Sequence, residues 1–168
     1  MVLAQQGDKD MKRFMLAMND LASARRAAEY LAPLTLALPE CDIFLLTLLT
    51  DCPYNDVELE ACLEQSGQAP EVHGSDDHLA QIAAVQLLHR EMTELLVSAG
   101  LDDNRIISKI HPLQTSPAED LLSYAEQNAC DTLVVARSNA GGLHRLVLGS
   151  VSSELIKKAK HRAIWVIS

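Results

Sequence analysis

The sequence predicts a doubly wound α/β domain: a five-stranded parallel sheet with helices on both faces. Strand-like and helix-like segments alternate along the chain in the order β-α-β-insertion-α-β-α-β-α-β, which calls for parallel pairing through right-handed crossovers. Residues 41–49 are nearly continuous in Ile, Phe and Leu, the pattern of a strand covered on both sides. At 168 residues and 48% hydrophobic content the chain is long enough for one such core and too short for a second full domain.

Residues 1–12 lack an apolar centre followed by a cleavage site and read as a disordered lead-in, with the domain spanning 13–168. The apolar run at 14–18 is a strand ended by Asn19 and Asp20, and the Ala-rich stretch 22–32 is a helix. Pro33 and Pro39 predict a kink or an end near Ala32. After the strand at 41–49, residues 51–77 hold eight acidic side chains and no Lys or Arg, and read as a long acidic loop with at most a helical turn around Val57 to Leu63. Such a stretch is a solvated loop or, from its place after the second strand, a lid over a pocket.

Ile82, Val85, Leu88, Met92, Leu95 and Leu96 recur at helical spacing, and Gly100 stops that helix. A third strand follows at 105–110. Ser116, Pro117 and Glu119 then form a capping-box signature in which Ser and Glu each satisfy an orphan backbone donor. Residues 132–136 make a fourth strand, 150–160 a last helix with Lys157, Lys158 and Lys160 near its end, and 163–167 a fifth strand. Alternation places Trp165 on the face opposite Ile164 and Val166.

A net charge of −9 disfavours nucleic acid and anionic lipid as partners. No apolar run is long enough to span a bilayer, so no membrane insertion is expected and the cytoplasm is the default compartment. Cys41, Cys52, Cys62 and Cys130 show neither zinc-ligand spacing nor a disulfide framework, and no metal site is assigned. No Gly-x-Gly-x-x-Gly follows the first strand, which disfavours a dinucleotide oxidoreductase. His144 has no Ser, Cys or Asp partner by spacing, so no catalytic residue is named.

Ligands of doubly wound sheets bind beyond the carboxyl ends of the strands, where strand order reverses. That edge holds Asn19, the segment 47–51 and the stretch 136–142, with Met18, Asn19, Leu48, Ala136, Arg137, Ser138 and Asn139 as candidate site residues. Gly149, Ser150 and Val151 open the last helix, whose free N–H groups favour an anion. Arg137, His144 and Arg145 add positive charge near it, or are ordinary surface charges; Ser150 is either an anion ligand or simply the helix N-cap.

Three local patterns resemble the universal stress protein family, and the likeness runs from Arg13 onward. They are the strand-turn-helix through Asn19 and Asp20, the Ser116-Pro-Ala-Glu helix leading into Cys130-Asp-Thr-Leu-Val-Val, and the run Leu143-His-Arg-Leu-Val-Leu-Gly-Ser-Val-Ser-Ser. The resemblance implies a Rossmann-like, adenine nucleotide alpha hydrolase-like fold, and dimerisation through the last strand, 163–167. ATP-binding members carry Gly, two residues, Gly, nine residues, Gly, then Ser or Thr. These positions fall on Ala136, Asn139, Gly149 and Ser150, of which the last two match. The family's strand-one Asp falls on Asn19, with Asp20 one residue away.

Glycine suits a phosphate loop because it admits close approach and positive φ; Ala136 is small and Asn139 tolerates the left-handed region, so both substitutions are mild. The leading reading is a cytoplasmic stress-response module that acts as a homodimer on an unidentified protein partner, with weak or lost nucleotide binding. The alternative is an ATP or adenine-nucleotide sensor using the crevice at Asn19 and 136–150, with Mg present only alongside the nucleotide. An enzyme, such as a slow ATPase, stands last.

Overall fold

A computed structural model describes residues 11–38, 40–64, 76–137 and 149–168. In chain order the elements are β1 (Lys12–Ala17), α1 (Leu21–Ala37), β2 (Cys41–Leu49), α2 (Asp56–Glu64), α3 (Asp76–Ser98), a 3-10 turn (Asp103–Arg105), β3 (Ile106–Pro112), α4 (Pro117–Gln127), β4 (Thr132–Ala136), α5 (Ser150–Lys158) and β5 (Ala163–Ile167). All four strand pairings are parallel, in the order β3-β2-β1-β4-β5. The doubly wound prediction holds, and strand order reverses between β1 and β4.

Alternation within the strands divides the core into two layers. Leu16, Ile43, Leu45 and Val134 face α1 and α3, where Ala27, Ala28, Leu31, Met92 and Leu96 are fully buried. Met15, Leu46, Leu133 and Val135 face α4 and α5, against Ala118, Leu121, Ala125 and Leu155. Trp165 follows the alternation: it packs on Phe14 (centroids 5.5 Å apart) and edge-on to Tyr30 of α1 (6.2 Å), while Ile164 and Val166 face the other layer. It lies under α1, not under the final helix.

Four expectations are corrected. The first strand begins at Lys12, inside the stretch read as a lead-in, because Lys12 and Arg13 pair with Cys41 and Asp42. Helix α1 continues through Pro33 to Ala37, and Leu38 N–H closes it on the Leu34 carbonyl at 3.0 Å. Pro33 deprives only the Glu29 carbonyl of its helical partner, and both residues lie on the exposed side, where water can serve instead.

The acidic stretch contains a true helix, α2, started by a reciprocal pair: Glu58 N–H donates to Asn55 Oδ1 and Asn55 N–H to Glu58 Oε2, both at 3.0 Å. It buries Leu59 with Leu49, Tyr54 and Ile82 in a third small core. Residues 65–75 of that stretch lie outside the described residues. The capping box of α4 is half formed: Ser116 Oγ accepts from Glu119 N–H at 3.3 Å, but the Glu119 carboxylate takes Lys158 Nζ at 2.8 Å. Asp120 instead gathers the loop, accepting from Gln114 N–H (2.7 Å), Thr115 N–H and the Thr115 hydroxyl.

Candidate nucleotide-binding crevice

The end of β1 sets one wall. Met18 N–H continues the ladder to the Leu46 carbonyl at 2.8 Å, and the next two residues then divide their tasks. Asp20 turns to α1 as its N-cap: Oδ1 accepts from Ser23 N–H (2.9 Å) and Oδ2 from the Ser23 hydroxyl (2.6 Å). Burial opposes its charge, but these hydrogen bonds and the nearby Arg26 prevail, holding the carboxyl below its ordinary value. Asn19 is left facing the crevice. Asn19, and not Asp20, is therefore in the lining of the cavity, and the Asp20 carboxylate is engaged at the start of α1.

The opposite wall is the N-terminus of α5. Its N-cap is Gly149, with no side-chain cap, and Ser150 is the first helical residue rather than the cap. The N–H groups of that first turn are the ones a helix leaves without internal partners. A Cβ placed on Gly149 would meet nothing within 4 Å, and its φ of −58° is one any residue adopts. Glycine here keeps space open in front of the helix and relieves no strain.

Met18, Asn19, Leu48, Ala136, Arg137, Gly149, Ser150 and Val151 therefore line one cavity of about 360 Å³ at the carboxyl edge, beside the switch point between β1 and β4. Ser138 and Asn139 lie outside the described residues, as do Gly141, Gly142, His144 and Arg145. Ala17, Leu46, Thr50, Leu113, Pro117, Leu121, Val135 and Ser152, which the sequence did not single out as site residues, complete the lining. Thr50 lies in the segment 47–51 that the sequence already puts at the carboxyl edge; Leu113 carries no motif and is placed there by its N–H bond to the Leu49 carbonyl (2.8 Å).

The cavity lies mainly on the α4 and α5 side of the sheet, since Leu46, Leu48, Val135 and Val151 belong to that layer. Ala136 packs with the α1 layer. Its methyl group points away from α5, so the departure from glycine leaves the helix N-terminus accessible. Helix α2 packs against β3 and none of its residues line the cavity, so it is no lid over the crevice. Among the described residues there is no cluster of metal-ligating side chains and no helix long and apolar enough to cross a membrane.

The profile of the universal stress protein family matches residues 11–166. No curated protein matches the sequence. Solved structures are similar at low identity: the universal stress protein UspA from Lactobacillus plantarum is 15% identical, with 96% of this chain and 100% of that one covered and a TM-score of 0.66. A universal stress protein in complex with cAMP is 16% identical, with 95% and 98% covered and a TM-score of 0.61. The universal stress protein from Archaeoglobus fulgidus in complex with dAMP is 12% identical, with 95% and 99% covered and a TM-score of 0.60. With the family profile matched along nearly its whole length and those solved structures sharing its fold, this chain belongs to the universal stress protein family.

Proposed function

We propose that the chain is a cytoplasmic stress-response module whose crevice takes an adenine nucleotide weakly, by one phosphate on the N-terminus of α5. The observation that carries this reading is the uncapped first turn of α5 opening, through the space at Gly149, into a cavity walled by Asn19 and Leu48. Aliphatic walls at Leu46 and Leu48 suit a base, and Arg137 supplies charge for the phosphate. Similar structures hold cAMP and dAMP, each with a single phosphate. Only half of the glycine pattern of ATP-binding relatives is kept, which favours a monophosphate over a triphosphate. Any Mg would arrive on the nucleotide, and no catalytic step is assigned.

The module assembles as a homodimer through β5 in this reading. That strand is a sheet edge without charge or proline, whereas the other edge, β3, carries Lys109 and His111 and has α2 beside it. The dimer then acts on a protein partner. A second reading, in which the same dimer works without nucleotide, is favoured by the neutral Asn19 and by Ala136.

Calorimetric titration with AMP, adenosine and ATP–Mg separates the two. The first reading expects AMP to bind with a Kd on the order of 0.1–1 mM, adenosine more weakly, and ATP no tighter than AMP. Absence of saturable heat with every ligand at millimolar concentration leaves the nucleotide-free module.

A further inference from the structure

Arg26 stands on the buried side of α1 among Ala24, Ala27 and Ala28, where a small apolar residue would continue the pattern. Its guanidinium reaches across to the sheet. Nη2 donates to the Arg137 carbonyl at 2.5 Å, while Nη1 donates to the Ala22 carbonyl of its own helix at 3.3 Å. Nε is buried and has no partner among the described residues, and no carboxylate there comes within ion-pair distance. A half-buried cation that meets only carbonyls among the described residues is costly compared with apolar packing. Such an arrangement points to a task beyond filling space.

The task is legible at Arg137. Its N–H donates to the Ile167 carbonyl of β5 at 2.8 Å, and its carbonyl accepts from Arg26. Both backbone polar groups of the residue that leaves β4 are thus fixed, one by the edge strand and one by α1. Arg137 and Ala136 also line the crevice opposite Gly149 and Ser150. We infer that Arg26 is a positioning residue for the phosphate end of the crevice: it sets the path of the chain at Arg137 from the opposite face of the sheet and links that path to β5. The guanidinium adds positive potential behind the site and also helps to hold the Asp20 carboxyl below its ordinary value.

The affinity part of this inference rests on the nucleotide reading; the backbone part does not. Arg26→Gln and Arg26→Lys are compared with wild type by hydrogen exchange in the segment 136–137, by thermal unfolding, and by titration with AMP and adenosine. Arg26→Gln is expected to speed exchange in that segment and to weaken AMP about tenfold, the worth of one hydrogen bond to a charged group. Adenosine affinity stays unchanged, and Arg26→Lys restores part of both effects.

Unchanged exchange at 136–137 in Arg26→Gln overturns the positioning role, whatever the ligand result. Equal weakening of AMP and adenosine, with the same loss in Arg26→Lys, reduces Arg26 to a structural brace and overturns it too. Should wild type bind no AMP, the nucleotide reading fails and the exchange comparison alone decides the role of Arg26.

Discussion

His89 of α3 and Thr47 of β2 meet inside the core, imidazole Nε2 2.9 Å from the threonine hydroxyl. The other ring nitrogen, Nδ1, contacts the Ser108 hydroxyl of β3 at 2.5 Å. Helix α3 is thereby fastened to two strands by one side chain that is 4% exposed. Burial disfavours the charged ring and pushes its pKa down to about 4.

This predicts an acid-sensitive core. The unfolded chain takes up the proton near the ordinary histidine value of 6.5, the folded one only near 4, so the contribution is complete above pH 6.5 and is lost as pH falls toward 4. The amount is about 3 kcal/mol. Urea unfolding of wild type and His89→Gln at pH 7, 5.5 and 4 checks it: the variant is less stable at pH 7, and the gap closes on acidification.

Gly149→Ala keeps the fold and narrows the crevice. The added methyl group meets open space, and alanine is a poorer N-cap than glycine, so the stability cost stays within about 1 kcal/mol. AMP affinity falls by about tenfold, read by the same titration, while the thermal midpoint moves little.

Asp120→Ala destabilises the protein more than Lys158→Ala does. Asp120 answers two loop N–H groups and a hydroxyl, and its carboxyl stays below the ordinary value because those bonds outweigh its burial. Its loss costs about 1–3 kcal/mol. Lys158 makes exposed ion pairs with Glu119 and Glu154, whose removal costs less than about 1 kcal/mol. Denaturant midpoints of the two variants give the order.

Light scattering tests the edge strand. A homodimer through β5 has twice the 18.4 kDa mass of the chain at micromolar concentration, and Ala163→Lys, a charge at the exposed start of β5, returns it to monomer. A wild-type monomer removes the dimer.

Much of the architecture was legible because periodicity reports burial. The bounds of β2, β4 and β5 match the sequence reading, since each is an apolar run bounded by polar or turn residues, buried in β2 and β4 and half-buried in β5. Pro33 misled because local propensity cannot see that the carbonyl it deprives faces water. Helix α2 was hidden by its charge: one buried leucine, Leu59, docks it on a satellite core assembled from distant segments. At the crevice, motif spacing found Asn19, Ala136, Gly149 and Ser150, which the fold brings together. It could not find Leu113, or show that Asp20 is committed to capping α1, because both depend on contacts between elements.

Phosphate binding at the first turn of α5 is what the proposed function requires. Amide chemical shifts of the nitrogen-15-labelled protein, followed through titration with AMP and then with adenosine, test it most directly. The N–H signals of Ser150, Val151 and Ser152 are expected to move with AMP and much less with adenosine, while those of α2 stay in place. Signals of that turn unmoved by millimolar AMP, or moved equally by adenosine, would contradict it.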